Sequence, residues 1–133
     1  MTQAGTSDWR DLERFSFADG GELTDQLCEL VLAGVKTATC WPISEGQQTE
    51  VGKKMVMTDR SGRPRGVIET LDLARRRFGE VDAGHAWLEG EGDRSLDYWR
   101  GAHQSFFEAH GGFAPDMMLW CERFRLVEVL AAE

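Results

Sequence analysis

The stretch GELTDQLCELVLAG does most to limit what this chain can become. Leu23, Leu27, Leu30 and Val31 recur there at the spacing of one helix face, and Gly34 stands where a glycine caps a helix C-terminus. TATC follows at once, short and rich in β-branched threonine, and predicts a brief strand before the loop WPISEGQQTEVG. KKMVMTD then predicts a strand, SGRPR a turn, and GVIETLDL a second strand with Val67, Glu69, Leu71 and Leu73 on one face, so that the three read as a hairpin.

Farther on, DAGHAWLEG predicts a short helix and GDRSLDYWRGAHQSFFEAHGG a longer one. Leu96, Trp99, His103, Phe106, Phe107 and His110 share a face of the longer helix, which ends at Gly111 and Gly112. MMLWCERFRLVEVL, with Phe124, Leu126 and Glu128 alternating, predicts a closing strand. The order helix, strands, helices, strand lacks a regular βαβ alternation. It therefore implies an α+β fold: a mixed or antiparallel sheet curled into a barrel, with α-helices packed around it. A chain of 133 residues buries a core of its own and reads as one domain, 1–133, behind a polar lead-in over 1–14. It holds no internal repeat, phosphate-binding loop or dinucleotide fingerprint.

No apolar run approaches the roughly 20 residues a membrane-spanning helix needs, and the acid-containing start MTQAGTSDWRDLE lacks the regions of a secretory signal. No membrane partner is expected, and the expected home is the cytoplasm. Cys28, Cys40 and Cys121 are isolated and odd in number, which predicts buried free thiols, with neither a disulfide framework nor a zinc site. A net charge of −8 argues against tight nonspecific binding to duplex nucleic acid. Positive residues nevertheless crowd the segment 53–77, as Lys53, Lys54, Arg60, Arg63, Arg65, Arg75, Arg76 and Arg77. They form either a local cleft for RNA or a solvated strand surface, and both readings stay open.

Lys36 and Thr39, three apart at a helix-to-strand junction, are the first candidates for chemistry. A hydroxyl needs a base before it becomes a nucleophile, and a lysine serves once its pKa is lowered. Glu69, a carboxylate in phase with apolar strand residues, calls for a partner and would complete the set. An ionised Glu close by would also raise the Lys36 pKa, which opposes base chemistry. As a pattern alone, K-x-x-T is equally served by a strand threonine and a lysine offsetting the helix dipole.

The helix followed by GVKTAT resembles the G-x-K-x-x-T signature of ASCH (activating-signal-cointegrator homology) domains, here Gly34, Lys36 and Thr39. VGKKMVM and GRPRGVIET resemble that family's barrel strands, EGDRSLDYWRGAHQSFF the long helix of a bacterial subgroup, and DMMLWCERFRLVEV its closing strand, so that the match covers about 15–129. The resemblance implies a PUA-like β-barrel with surrounding helices and binding of RNA. Through the small amidohydrolases of the family, it also implies hydrolysis of the amide of N4-acetylcytidine. Thr39 would then be nucleophile, Lys36 its base and Glu69 a positioning group. The EGDRSLDYWR helix exceeds the minimal amidohydrolases and leaves room for another substrate.

The competing reading is a single-stranded RNA-binding protein, with or without ribonuclease activity, or a non-catalytic module that binds RNA or a protein partner. Lys53, Lys54, Arg63, Arg65 and Arg75–Arg77 would meet phosphates, and Trp41 would stack a base or simply pack beneath its loop. No cofactor is expected for the amidohydrolase. A divalent ion such as magnesium, held by carboxylates, would belong to the ribonuclease. Trp87, Trp99 and Trp120 read as core. His103 reads as core by default, with general acid and metal ligand as its other roles. Arg100 flanks the helix face as a candidate for phosphate or carboxylate. Arg94 reads as an ion-pair residue among Glu91, Asp93 and Asp97.

Overall fold

A computed structural model describes residues 8–18 and 20–130, so the first seven residues of the polar lead-in lie outside it. The elements run β1 (Arg14–Phe15), α1 (Glu22–Leu32), β2 (Ala38–Pro42), β3 (Lys54–Thr58), β4 (Pro64–Arg77), α2 (Ala83–Glu89), α3 (Leu96–Ala109) and β5 (Met118–Val129), with short 3-10 turns between some of them. The strands form one mixed sheet in the order β1-β3-β4-β5-β2. Only the β1–β3 pairing is parallel. Among the described residues β1 and β2 remain edges, so the α+β class stands while the expected barrel does not close. β1 is only two residues long and pairs with β3 alone, too little strand to bridge back to β2.

Each helix starts and stops where its sequence dictates. α1 ends with the Ala33 amide bonded to the carbonyl of Glu29, and Gly34 follows at φ +79°. Asp82 and Ser95 cap α2 and α3 by accepting from the amides of His85 and Tyr98. Gly90, at φ +75°, closes α2 against the chain leaving α1: a Cβ there would stand 2.7 Å from the carbonyl oxygen of Val35.

β4 is longer than the predicted GVIETLDL because the arginine run continues its pairing with β5 as far as Arg77. It is also not one regular strand. Thr70 faces Phe124 and Asp72 faces Arg123, so Leu71 is an extra residue that bulges out, 43% exposed. A second irregularity follows Val67, where β5 carries the extra residue, Val127. The bulge at Leu71 breaks the single face expected of Val67, Glu69, Leu71 and Leu73, because it moves Leu73, opposite Glu122, to the side of Thr70. Ile68 and Thr70 turn inward, and Glu69 lies at the sheet surface.

The core has two main parts. Leu27, Cys28 and Val31 of α1 pack with Phe17, Met57, Ile68 and Phe124. Ala86 of α2 and Trp99 and Phe107 of α3 pack with Phe78, Val81, Leu119 and Cys121 on the other side. Between these two clusters, beside β2, lies the cavity described next. No helix among the described residues is long and apolar enough to cross a membrane.

Candidate functional site

Lys36 leaves the α1 cap directly into the interior, where its side chain is 1% exposed. A buried ammonium is tolerated only with close acceptors. It donates to the Ala38 carbonyl at 2.8 Å and to Glu91 Oε2 at 2.9 Å, with Glu89 Oε1 and the Glu89 carbonyl each at 3.5 Å. Desolvation pulls the Lys36 pKa down, but the attraction of Glu89 and Glu91 outweighs it and holds the pKa above the usual lysine value. Lys36 is therefore a fixed cation, and its donors are taken.

Glu89 is the centre of the cluster. Its Oε2 lies 2.6 Å from His85 Nε2, one helical turn back on α2, and its Oε1 lies 3.3 Å from His103 Nε2. Burial alone would raise its pKa, and Lys36 and His103 instead bring it well below the carboxylate range. The His103 ring stacks on Trp99 with centroids 4.3 Å apart and sends Nδ1 to the Trp99 carbonyl at 2.8 Å. A carbonyl only accepts, so Nδ1 carries a proton and Nε2 is aimed at Glu89. Desolvation opposes protonation of this ring, yet Glu89 raises its pKa beyond the ordinary histidine value.

Glu89, Glu91 and His103 line a cavity of about 630 Å³, the size range of small-molecule sites. Thr39, Cys40 and Trp41 of β2 form one wall, Glu122 of β5 and Thr49 lie beside them, and Phe15, Tyr98 and Phe106 supply aromatic surface. Thr39 and Glu122 occupy opposed positions of the β2–β5 ladder, so both side chains stand on the same face, with Cβ atoms about 5 Å apart. Glu122 is buried and accepts from Thr70 at 2.7 Å, while Thr70 and Thr49 share a hydrogen bond of 2.8 Å. Desolvation raises its pKa, and the Thr70 bond and Lys36 only partly counter that. Two carboxylates of one site are thus driven in opposite directions, Glu89 downward and Glu122 upward.

Of the residues expected from the sequence, Lys36, Thr39, Trp41 and His103 converge here. Trp41 is anchored by its indole N–H to the Gly46 carbonyl at 2.8 Å. Glu69 does not join them. It faces Lys54 and Arg125 in the sheet register, and Arg125 holds it at 2.7 Å in a surface ion pair. Lys53 pairs with Glu13, and Arg65 with Glu29 and Asp59. Arg100 ties α3 to the carbonyl of Val81.

The positive segment does not converge into one cleft. Arg65 and Arg75 are ten residues apart on β4, or roughly 33 Å of extended chain. Among the described residues Arg94 has no acidic partner: it donates to the carbonyls of Trp87 and Val35 and stacks at 3.7 Å over the Trp87 ring. Trp87 is 55% exposed rather than core, and Trp120 is half-buried beneath Arg75.

The sequence reading missed Cys40, His85, Glu89, Glu91 and Glu122. The spacing of His85 and Glu89, four apart on one short helix, carried a signal. So did Glu122, which stands in phase with the core residue Phe124 on a strand.

The ASCH domain model matches residues 13–128. The ASCH domain structure from Lactobacillus crispatus JV V101 shares 31% identity with this chain, at a TM-score of 0.79 over 87% of this chain and 79% of that one. The structure of a protein from Enterococcus faecalis V583 shares 30% identity, at a TM-score of 0.77 over 88% of this chain and 77% of that one. No curated protein matches significantly. With its signature lysine sealed under the cavity and its sequence matched nearly end to end, this chain belongs to the ASCH domain family, whose domains are generally RNA-binding.

Proposed function

We propose that the cavity takes the base of an acylated cytidine and hydrolyses its amide. The observation that carries this reading is the opposition of Thr39 and Glu122 on the cavity wall, with the Glu122 pKa raised toward the range of a general base. Glu122 takes the Thr39 hydroxyl proton, and the Thr39 oxygen attacks the amide carbonyl. The carbon–nitrogen bond breaks, the amine of cytidine leaves with a proton returned by Glu122, and water cleaves the ester left on Thr39. Lys36 is not the base in this scheme. It keeps Glu89 ionised, and Glu89 in turn favours the protonated form of His103 at the cavity wall, whose positive charge attracts developing negative charge.

Charge favours the nucleoside over a long strand. Glu45, Glu89, Glu91 and Glu122 all line the cavity, which suits an uncharged base and repels phosphates. Aromatic side chains at the wall, Trp41 and Tyr98 among them, suit a flat ring.

The test is release of cytidine from N4-acetylcytidine by wild type, Thr39→Ala and Glu122→Gln, with a short RNA carrying the same base as a second substrate. Release by wild type and a loss of roughly 100-fold or more in both variants is expected, as for removal of a general base. No release by wild type from either substrate refutes the reading. Release only from the RNA moves the substrate from nucleoside to strand.

A further inference from the structure

Three donors meet at the cavity floor, and two of them, Cys40 and His85, have no part in the proposed hydrolysis. Cys40 Sγ, a ring nitrogen of His85 and a Glu89 oxygen all lie within 4.8 Å of one another. They come from two elements, β2 and α2, and the histidine and glutamate are four apart on one helix, a spacing that puts two ligands on one side. We propose that Cys40, His85 and Glu89 form a binding site for a zinc-type divalent ion.

The donor set selects the metal class. One thiolate, one imidazole and one carboxylate suit a borderline-soft ion such as zinc, and three protein ligands with one position left open is the arrangement of zinc sites that also hold water or a ligand. The open position has a place to face, because Cys40 and Glu89 both line the cavity, which is also the ion's way in. Zinc bond lengths put tetrahedral donors roughly 3.3–3.6 Å apart. His85 and Glu89 must therefore part from 2.6 Å by somewhat under an ångström, while the Cys40 sulfur already stands within 4.8 Å of both.

Charge is nearly balanced as well. Once the Cys40 thiol has given its proton to solvent, two carboxylates and a thiolate against a dication and one ammonium sum to zero, and a protonated His103 adds one positive charge. Glu89 divides its oxygens suitably: Oε2 faces His85, and Oε1 stays with Lys36 and His103.

A second group of possible ligands, Glu89, Glu91 and His103, is the one a hard ion such as magnesium would use. Its centre already holds a cation, since Lys36 Nζ lies 2.9 Å from Glu91 and 3.5 Å from Glu89. The thiol side of Glu89 is where a further cation fits.

The test reads metal and not turnover, so it stands or falls apart from the deacylation assay. Wild type, Cys40→Ser, His85→Ala and Cys28→Ser are dialysed against zinc and analysed for metal, and each is titrated with cobalt while the near-ultraviolet spectrum is recorded. Wild type and Cys28→Ser should retain one zinc per chain and show a thiolate-to-cobalt charge-transfer band. Cys40→Ser should lose the band. His85→Ala should bind weaker by at least the roughly 10- to 100-fold that loss of even a supporting group costs a metal site. Wild type without retained zinc or without the band overturns the proposal, and this holds even if a variant fails to fold. A band that survives in folded Cys40→Ser overturns it too.

Discussion

Replacing Lys36 with methionine should be among the most costly single changes in this protein. Methionine keeps the length of the side chain and removes the cation. Glu91, 16% exposed, can turn toward water, but Glu89, 1% exposed, cannot. It would keep only the histidines and the Cys40 thiol, among the described residues, as partners for a buried negative charge. Removing one member of a buried pair costs about 3–5 kcal/mol. At about 2.1 cal/mol/K per residue, a domain of 133 residues has an unfolding entropy near 0.28 kcal/mol/K, so the melting temperature should fall by roughly 11–18 °C. Calorimetry at pH 7 checks the figure, and the double variant Lys36→Met/Glu89→Gln should recover part of the loss. The pH dependence has a definite sign. In wild type the depressed Glu89 pKa contributes stability above the unfolded value of 4.5, lost as pH falls through the folded value. In the variant, burial without the ammonium raises that pKa, so Glu89 costs stability at high pH and is relieved as pH falls. The gap between the two proteins must therefore narrow toward acid. A loss below about 1 kcal/mol, or a gap that widens toward acid, would show that Lys36 does not hold Glu89 ionised.

Other consequences are quicker to check. His103, with its pKa raised above 6.5, should titrate late in an NMR pH series, and Glu89→Gln should bring its transition to lower pH. The same raised value means that His103 contributes stability fully below about pH 6.5 and loses it as pH rises through the folded value. Gly90→Ala should destabilise by more than about 1 kcal/mol in urea unfolding, because the residue sits at φ +75° and its new methyl would meet the Val35 backbone. Glu69→Ala should cost no more than about 1 kcal/mol, as for an exposed ion pair, and should leave any deacylation rate unchanged.

Much of this fold was legible because its signals are local. The α1 face, the Gly34 stop and the glycines after α3 are each set by residues a few positions apart. The sheet's open edges were not, because closure depends on how far β1 and β2 run, which the pattern of apolar residues does not fix. At the site, Lys36 and Thr39 were visible as a motif, whereas the carboxylate that meets Lys36 most closely lies 55 positions away. Glu69 misled for a specific reason. Period-two reasoning assigned it to a face with Leu71, and Leu71 is the residue at which that period fails. The carboxylate inside is instead Glu122, one strand over, where the alternation leads to Phe124 without interruption.

The bulge at Leu71 makes this position lenient to two kinds of genetic change. Its side chain leans into solvent, so most substitutions there should pass unnoticed. Losing the codon altogether should be absorbed as well, because Thr70 already faces Phe124 and Asp72 already faces Arg123, and without the extra residue the two become neighbours in a regular ladder. A codon lost well away from the bulge is different, since it moves the adjoining residues by one place and turns their side chains to the other face of the sheet. A deletion scan along β4 should therefore show its mildest loss at Leu71, the residue that the ladder does not use.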